Sequence, residues 1–307
     1  MRANLRSSAS LRQPLNSNVI EWAPVKSSLP PVRPEVSQGR RPPEDPLILQ
    51  GEQFKLPWAE SIGVNRCMPQ RESAHCGKVT LMNHVLSGKR ILVTQATSFM
   101  GPALCEVLAL QGAIVIANTD SLAEVGAAEA MVDAAGVVDI LVANLAISAP
   151  TSLATEALEA EWRDTFAALV DPLPRLFRAA LPQMIDRRAG KILLIGSAAA
   201  LRGVKRTSTY SAARGAQLAY VQAVGIEVAP HNVQVNAIAQ NFVENPMYFP
   251  ADVQANPRFQ ERLKREVPLG RLVSASEDAA FAAYLCSDAA NCFVGQVFPV
   301  CGGWVAR

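Results

Sequence analysis

From Lys89 onward, short runs rich in apolar residues alternate with longer stretches of helical periodicity. The runs Arg90-Ile91-Leu92-Val93-Thr94, Ala113-Ile114-Val115-Ile116-Ala117 and Val138-Asp139-Ile140-Leu141-Val142 predict the first three strands. Three more follow at Lys191-Ile192-Leu193-Leu194-Ile195, Asn232-Val233-Gln234-Val235-Asn236-Ala237-Ile238 and Gln296-Val297-Phe298-Pro299-Val300. Runs of this kind belong to a parallel sheet covered on both faces. Helices are expected from Pro102 to near Gly112, about Leu122 to Ala135, about Ala157 to Arg187, about Ser208 to Ala229 and around Glu277 to Ser287. Leu173-Pro174 and Leu181-Pro182 should kink or end the longest of these, because proline removes a helix donor. The alternation predicts one α/β domain over residues 87–307, a Rossmann-like, doubly wound parallel sheet with right-handed crossovers.

Residues 1–86 read differently. Breakers such as Leu29-Pro30-Pro31 and Arg41-Pro42-Pro43 interrupt any period, and residues 1–88 hold 10 of the 21 prolines. A disordered extension is expected there. Its first 19 residues are Arg- and Ser-rich without an acid, as in an organelle transit peptide. The alternative expectation is a non-native upstream extension, with Met82 as the start. A secretory signal is not expected, since no apolar stretch follows the first arginines.

Composition narrows the function classes. Half of the 307 residues are apolar and 18% are charged, which suits a large folded core. Residues 1–88 carry 11 Lys/Arg against 7 Asp/Glu, and the remainder carries 18 against 20, so no polyanionic partner such as nucleic acid is indicated. No run of 18 uncharged apolar residues occurs, which argues against a membrane span. The six cysteines show no C-x-x-C spacing and only three histidines are present, so neither a zinc site nor a disulfide framework is expected. A reducing, cytoplasmic setting fits that usage.

The turn after the first strand is where a dinucleotide-binding fold needs glycines, so that backbone can approach a pyrophosphate. Here it reads Thr94-Gln95-Ala96-Thr97-Ser98-Phe99-Met100-Gly101-Pro102. The body resembles short-chain dehydrogenase/reductases, whose turn is T-G-x-x-x-G-x-G. On that pattern Gln95 and Phe99 replace two glycines and Gly101 remains. Phe99 would fill volume a nicotinamide cofactor needs. The family's N-N-A-G is here Ala143-Asn144-Leu145-Ala146, and Leu169 stands where many relatives place a relay asparagine. No cofactor is therefore expected. Asp120 is read as a helix cap and His231 as a solvated loop residue.

A second constellation is intact: Gly196-Ser197, then Tyr210-Ser211-Ala212-Ala213-Arg214. Ser197 lies just past the carboxyl end of a strand, where open α/β sheets place their sites. Tyr210 and Arg214 are four apart and share a helix face. Relatives carry lysine at the Arg214 position, and a planar, permanently charged guanidinium is not an equivalent replacement. A general base working near neutral pH needs a tyrosine pKa roughly two units below ~10, or about 2.7 kcal/mol. One positive charge ~5 Å away at an effective dielectric of ~20 supplies roughly 3 kcal/mol. Arg214 alone is of that size, provided burial does not push the phenol back up.

Serine, tyrosine and arginine on this scaffold, with an aromatic in the former cofactor turn, resemble the halohydrin dehalogenases. The likeness runs from about Ser87 to Trp304. It is closest to a subgroup sharing Gly196-Ser197-Ala198-Ala199-Ala200, Ile238-Ala239-Gln240-Asn241, Tyr248-Phe249, Val267-Pro268-Leu269-Gly270-Arg271-Leu272 and Gly302-Gly303-Trp304. It implies cofactor-free conversion of a vicinal halohydrin to an epoxide, and epoxide opening by small anions in reverse. It also implies Ser197, Tyr210 and Arg214 as the catalytic set, and a halide pocket from Phe99 with Gln240, Asn241, Phe242 and Val243, with Phe249 nearby. The long helix and the 208–229 helix would form the family's dimer face, implying a homotetramer. The competing readings are a nicotinamide-dependent oxidoreductase with an atypical turn, and a catalytically dead binding scaffold.

Overall fold

The computed structural model describes residues 47–49 and 84–306. Six strands lie parallel: β2 (Arg90–Val93), β3 (Ile114–Ala117), β4 (Ile140–Asn144), β5 (Gly190–Ser197), β6 (Val233–Gln240) and β7 (Val297–Val300). A short strand, β1 (Leu47–Leu49), pairs antiparallel with β3 at the edge, giving the order β1-β3-β2-β4-β5-β6-β7. Strand β1 falls within the stretch expected to be mostly disordered. Fully buried Leu86, whose N–H donates to Gln111, likewise belongs to the fold. Residues 1–46 and 50–83, on which the transit-peptide and Met82 readings fall, lie outside the described residues.

Alternation along each strand builds two cores. Ile91, Val93, Ile140, Val142, Leu193, Ile195 and Ile238 face the layer of α1 (Gly101–Leu110) and α8 (Ala275–Cys286). Leu92, Leu141, Ala143, Ile192, Leu194 and Ala237 face the opposite layer. There lie α2 (Ala127–Ala135), α3 (Glu159–Leu169), α4 (Pro172–Arg187) and α5 (Ser208–Val228). Burial on both faces is why these strands read as continuous apolar runs.

Several boundaries moved for identifiable reasons. The long helix expected over 157–187 is two helices, α3 and α4, broken at residues 170–171 by Pro172, which takes the first position of α4 and has no N–H to give. Pro182 is instead tolerated inside α4. Helix α2 starts five residues later than expected, after Gly126 in a left-handed conformation. Asp120 is therefore not its cap; its carboxylate accepts from Asn118 Nδ2 at 3.0 Å. Two further helices, α6 (Ala251–Ala255) and α7 (Pro257–Glu266), lie in a stretch for which the sequence pattern predicts no element. The Asn256 side chain accepts from Arg258 N at 2.9 Å, so α7 has a regular Asn-Pro start.

The chain leaves β2 for β3 on one side and returns past it to β4 on the other, so a crevice opens at the carboxyl ends between β2 and β4. Ser197 and Gln240 are paired in register at the ends of β5 and β6, on the same edge.

Helix α5, which carries Tyr210 and Arg214, is held at Gly225, where an added Cβ would lie 2.7 Å from Gly295 Cα and 2.9 Å from the Val235 carbonyl oxygen. Gly215, on the same helix, has open space. Gly225→Ala is expected to lower stability in a urea titration by about 2 kcal/mol through overpacking. Gly215→Ala should raise it by about 1 kcal/mol. Equal effects at the two positions would contradict this packing.

Candidate active site

Seven of the eight site residues expected from the sequence line one cavity of about 300 Å³: Phe99, Ser197, Tyr210, Gln240, Asn241, Phe242 and Val243. The eighth, Arg214, lies behind the Tyr210 ring with its guanidinium carbon 5.1 Å from the ring centre. His231 precedes the amino end of β6, far along the strand from this cavity.

Ser197 ends β5, and its Oγ accepts from Ala199 N at 3.2 Å. That leaves its own O–H proton free to donate. Tyr210 and Arg214 stand one turn apart on α5, and Arg214 is completely buried. Its Nη1 donates to the Gln217 side chain (3.0 Å) and the Ile195 carbonyl (3.3 Å). Among the described residues Nε and Nη2 have no hydrogen-bond partner and no carboxylate pairs with it. Gln217 is fixed in turn by donating to the Leu169 carbonyl. Leu169, standing where relatives place a relay asparagine, thus contributes its backbone oxygen to the network. Gln217 went unnoticed in the sequence, although 210, 214 and 217 follow the i, i+4, i+7 spacing of one helix face.

Burial pushes the Tyr210 phenol up, but the Arg214 charge and hydrogen bonding from Tyr248 and Ser197 outweigh it, leaving the phenol below its ordinary range. Tyr248 goes the other way. Burial and the neighbouring Tyr210 push its phenol well above the ordinary tyrosine range.

The turn after β2 is closed by its own residues. Gln95 and Phe99, in the two former glycine positions, hold φ values of +46° and +53°, in the left-handed region where side chains are uncommon. Asn144 Nδ2 donates to the carbonyls of Gln95 and Ser98, both at 3.1 Å. The Gln95 side chain accepts from Ala146 N at 2.9 Å. Gly101 has no room for any side chain, since a Cβ would lie 2.4 Å from the Gln95 carbonyl oxygen. Phe99 meets Tyr248 edge to face, with ring centres 5.9 Å apart, and Tyr248 Oη donates to the Ile147 carbonyl. A side-chain bridge therefore runs from the turn after β2 to the segments that follow β4 and β6. Phe99 and Tyr248 thus set two aromatic rings beside a turn where a dinucleotide-binding fold keeps its backbone bare.

The expected anion donors are partly engaged. Asn241 N donates to the Val300 carbonyl and Phe242 N to the Asn241 side chain, so neither N–H points at a ligand. Phe242, at φ +51°, packs against Phe249 and Trp304 with ring centres 6.0 Å away in each case. Arg262 of α7 and Trp304 complete the wall, and neither had been given a role. Gln240 donates to buried Asp278 of α8, whose carboxyl burial pushes up to about 7 against the lowering effect of that hydrogen bond.

Asp278 sets a pH dependence of stability. Its folded-state pKa lies above the unfolded value of ~3.9, so its contribution is fully present below pH ~4 and is lost as pH rises through about 7. Asp278→Asn should therefore gain in melting temperature over the wild type between pH 5 and pH 8. Parallel melting curves across that range would contradict it.

Comparison with known proteins places the scaffold. The family profile described as enoyl-(acyl carrier protein) reductase matches residues 92–305. The 3-oxoacyl-(acyl-carrier-protein) reductase FabG of Vibrio cholerae is 31% identical over 243 residues, covering 71% of this chain and 98% of its own. Nodulation protein G of Rhizobium meliloti is 29% identical over 245 residues, covering 71% and 97%. A solved structure described as a dehalogenation enzyme superposes with a TM-score of 0.68 at 32% identity, covering 72% of this chain and all of its own.

Proposed function

This chain belongs to the short-chain dehydrogenase/reductase superfamily, and from that starting point we propose that it is a halohydrin dehalogenase that works without a nicotinamide cofactor. The observation that carries the reading is the buried Arg214 beneath Tyr210, with the Phe99–Tyr248 contact lying across the former nucleotide slot. The similarity to a dehalogenation enzyme supports it. The reductase relatives favour the competing oxidoreductase reading, whose cofactor turn this chain lacks.

In the proposed reaction Ser197 donates a hydrogen bond to the substrate oxygen and holds it beside Tyr210. Tyr210, as the phenolate, takes the substrate hydroxyl proton. The alkoxide displaces halide from the adjacent carbon, so one C–O bond forms, one carbon–halogen bond breaks and the halide leaves with its electron pair. Ring closure within one bound molecule needs orientation above all. Arg214 touches neither substrate nor halide; its part is to keep Tyr210 ionised. For the halide we propose the wall formed by Phe99, Gln240, Asn241, Phe242 and Val243. With the Asn241 and Phe242 N–H groups engaged and the Gln240 side-chain amide donating to Asp278, aromatic edges are what it offers a large, weakly hydrated anion. The reverse reaction would open epoxides with azide, cyanide or nitrite. A homotetramer is proposed as well: Trp162 on α3 and Ile226 on α5 remain 45% and 72% exposed, apolar surface that a second copy would cover.

The full chain is expected to release free halide and one proton per turnover from a vicinal bromo-alcohol with no nicotinamide present. Tyr210→Phe should lower the rate at least 100-fold while leaving the far-ultraviolet dichroism unchanged. Because the Tyr210 pKa is lowered, kcat/KM should rise with pH and level off below the usual tyrosine range. Saturable NADPH binding with carbonyl reduction, and no halide release, would favour the oxidoreductase instead.

A further inference from the structure

Tyr248 has one hydroxyl proton and two acceptors. Its Oη donates to the Ile147 carbonyl and lies 3.5 Å from Tyr210 Oη. The ring cannot follow the proton. Phe99 packs edge-on against it at 5.9 Å and Phe249 lies 6.5 Å away, centre to centre. The backbone is pinned as well: Tyr248 N donates to Asn245 Oδ1 at 2.9 Å, and Asn245 Nδ2 donates to the Val243 carbonyl at 2.7 Å. Only the O–H bond is free to turn, and a phenol proton prefers the ring plane, where it has two positions.

We propose that Tyr248 is a positioning residue for the base, its hydroxyl proton turning toward Tyr210 when Tyr210 is a phenolate and back to the Ile147 carbonyl when Tyr210 has gained a proton. The Tyr248 proton never leaves its oxygen. The proton that moves between molecules is the substrate's, which passes to Tyr210 and then to solvent. A neutral Tyr210 would donate to Tyr248, whose own proton then rests on Ile147. A phenolate needs a donor, and Tyr248 supplies one without moving a heavy atom. This rests on reading Tyr210 as the base.

The surroundings support such an exchange. The titratable or charged groups against Tyr210 are Arg214 from its own helix and Tyr248 from the segment after β6; Ser197, at the end of β5, adds a neutral hydroxyl. Those against Tyr248 are Tyr210 and Arg214. The two phenols affect each other in opposite senses, Tyr248 lowering Tyr210 and Tyr210 raising Tyr248, as expected where one stays neutral to stabilise the other's charge. The same ring that closes the nucleotide slot with Phe99 thus supplies the donor to the base.

The test is an ultraviolet titration of phenolate absorbance in the full chain, which needs no turnover. The sequence has four tyrosines, Tyr210, Tyr220, Tyr248 and Tyr284, and burial pushes Tyr220 and Tyr248 upward. An early transition that disappears in Tyr210→Phe identifies the base. Tyr248→Phe keeps the aromatic ring and should move that transition up by about one pH unit, a tenfold loss of phenolate at fixed pH. The limb of kcat/KM should move with it. Tyr248→Leu, which also lacks the donor, should show the same rise should the first variant fold poorly. An early transition unmoved in a folded Tyr248 variant would overturn the proposal even if halide release is found. A shifted transition without halide release would sustain the proton exchange and sink the dehalogenase reading alone.

Discussion

A guanidinium with none of its surface in water needs a counter-charge, and among the described residues no carboxylate supplies one to Arg214. Its Nη1 donates to two neutral oxygens, and among the described residues Nε and Nη2 have no hydrogen-bond partner. A buried cation left in that state is costly, and the usual relief, loss of its own proton, is closed to arginine. The ionisable group beside it is the Tyr210 phenol. With the guanidinium 5.1 Å from the ring centre, attraction to a phenolate is roughly 3 kcal/mol at an effective dielectric of ~20. Together with the hydrogen bonds that Tyr210 receives, that attraction outweighs the burial opposing ionisation of the phenol. Lysine at this position could shed its proton under the same burial, whereas arginine cannot. The choice of base and the choice of cation are thus one decision.

The second constraint is volume. Relatives that hold a dinucleotide keep backbone bare in the turn after the first strand, whereas this chain puts side chains there and locks them. Gln95 and Phe99 sit at positive φ, which costs of order 1–3 kcal/mol each. The cost is met by specific contacts: Asn144 spans two carbonyls of the turn, Gln95 reaches Ala146, and Phe99 rests on Tyr248. The strained turn therefore belongs to one connected arrangement with the base, since Tyr248 also reaches Tyr210.

Much of this was legible in the residues. The six parallel strands follow from short apolar-rich runs, and the grouping of Phe99, Ser197, Tyr210 and the Gln240–Val243 segment was implied by the family resemblance, with Ser197 placed by its strand end. What escaped has physical causes. A three-residue strand at Leu47–Leu49 is too short to leave a period. The break before Pro172 rather than at Pro174 depends on which proline the chain uses to start a helix. The Gln240–Asp278 contact joins residues 38 apart through tertiary packing alone. Tyr248 was visible as part of a motif, yet its partner, the Ile147 carbonyl, carries no side-chain signature.

The most direct test of the Arg214–Tyr210 pairing is a carbon-13 NMR titration with tyrosine labelled at the ring carbon bearing oxygen, run on the wild type and on Arg214→Gln. The account predicts that the Tyr210 resonance reaches its phenolate position below the ordinary tyrosine range, and that Arg214→Gln returns the transition to that range or above it. A Tyr210 resonance that stays neutral up to pH ~10 in the wild type, or is indifferent to the loss of Arg214, would contradict it.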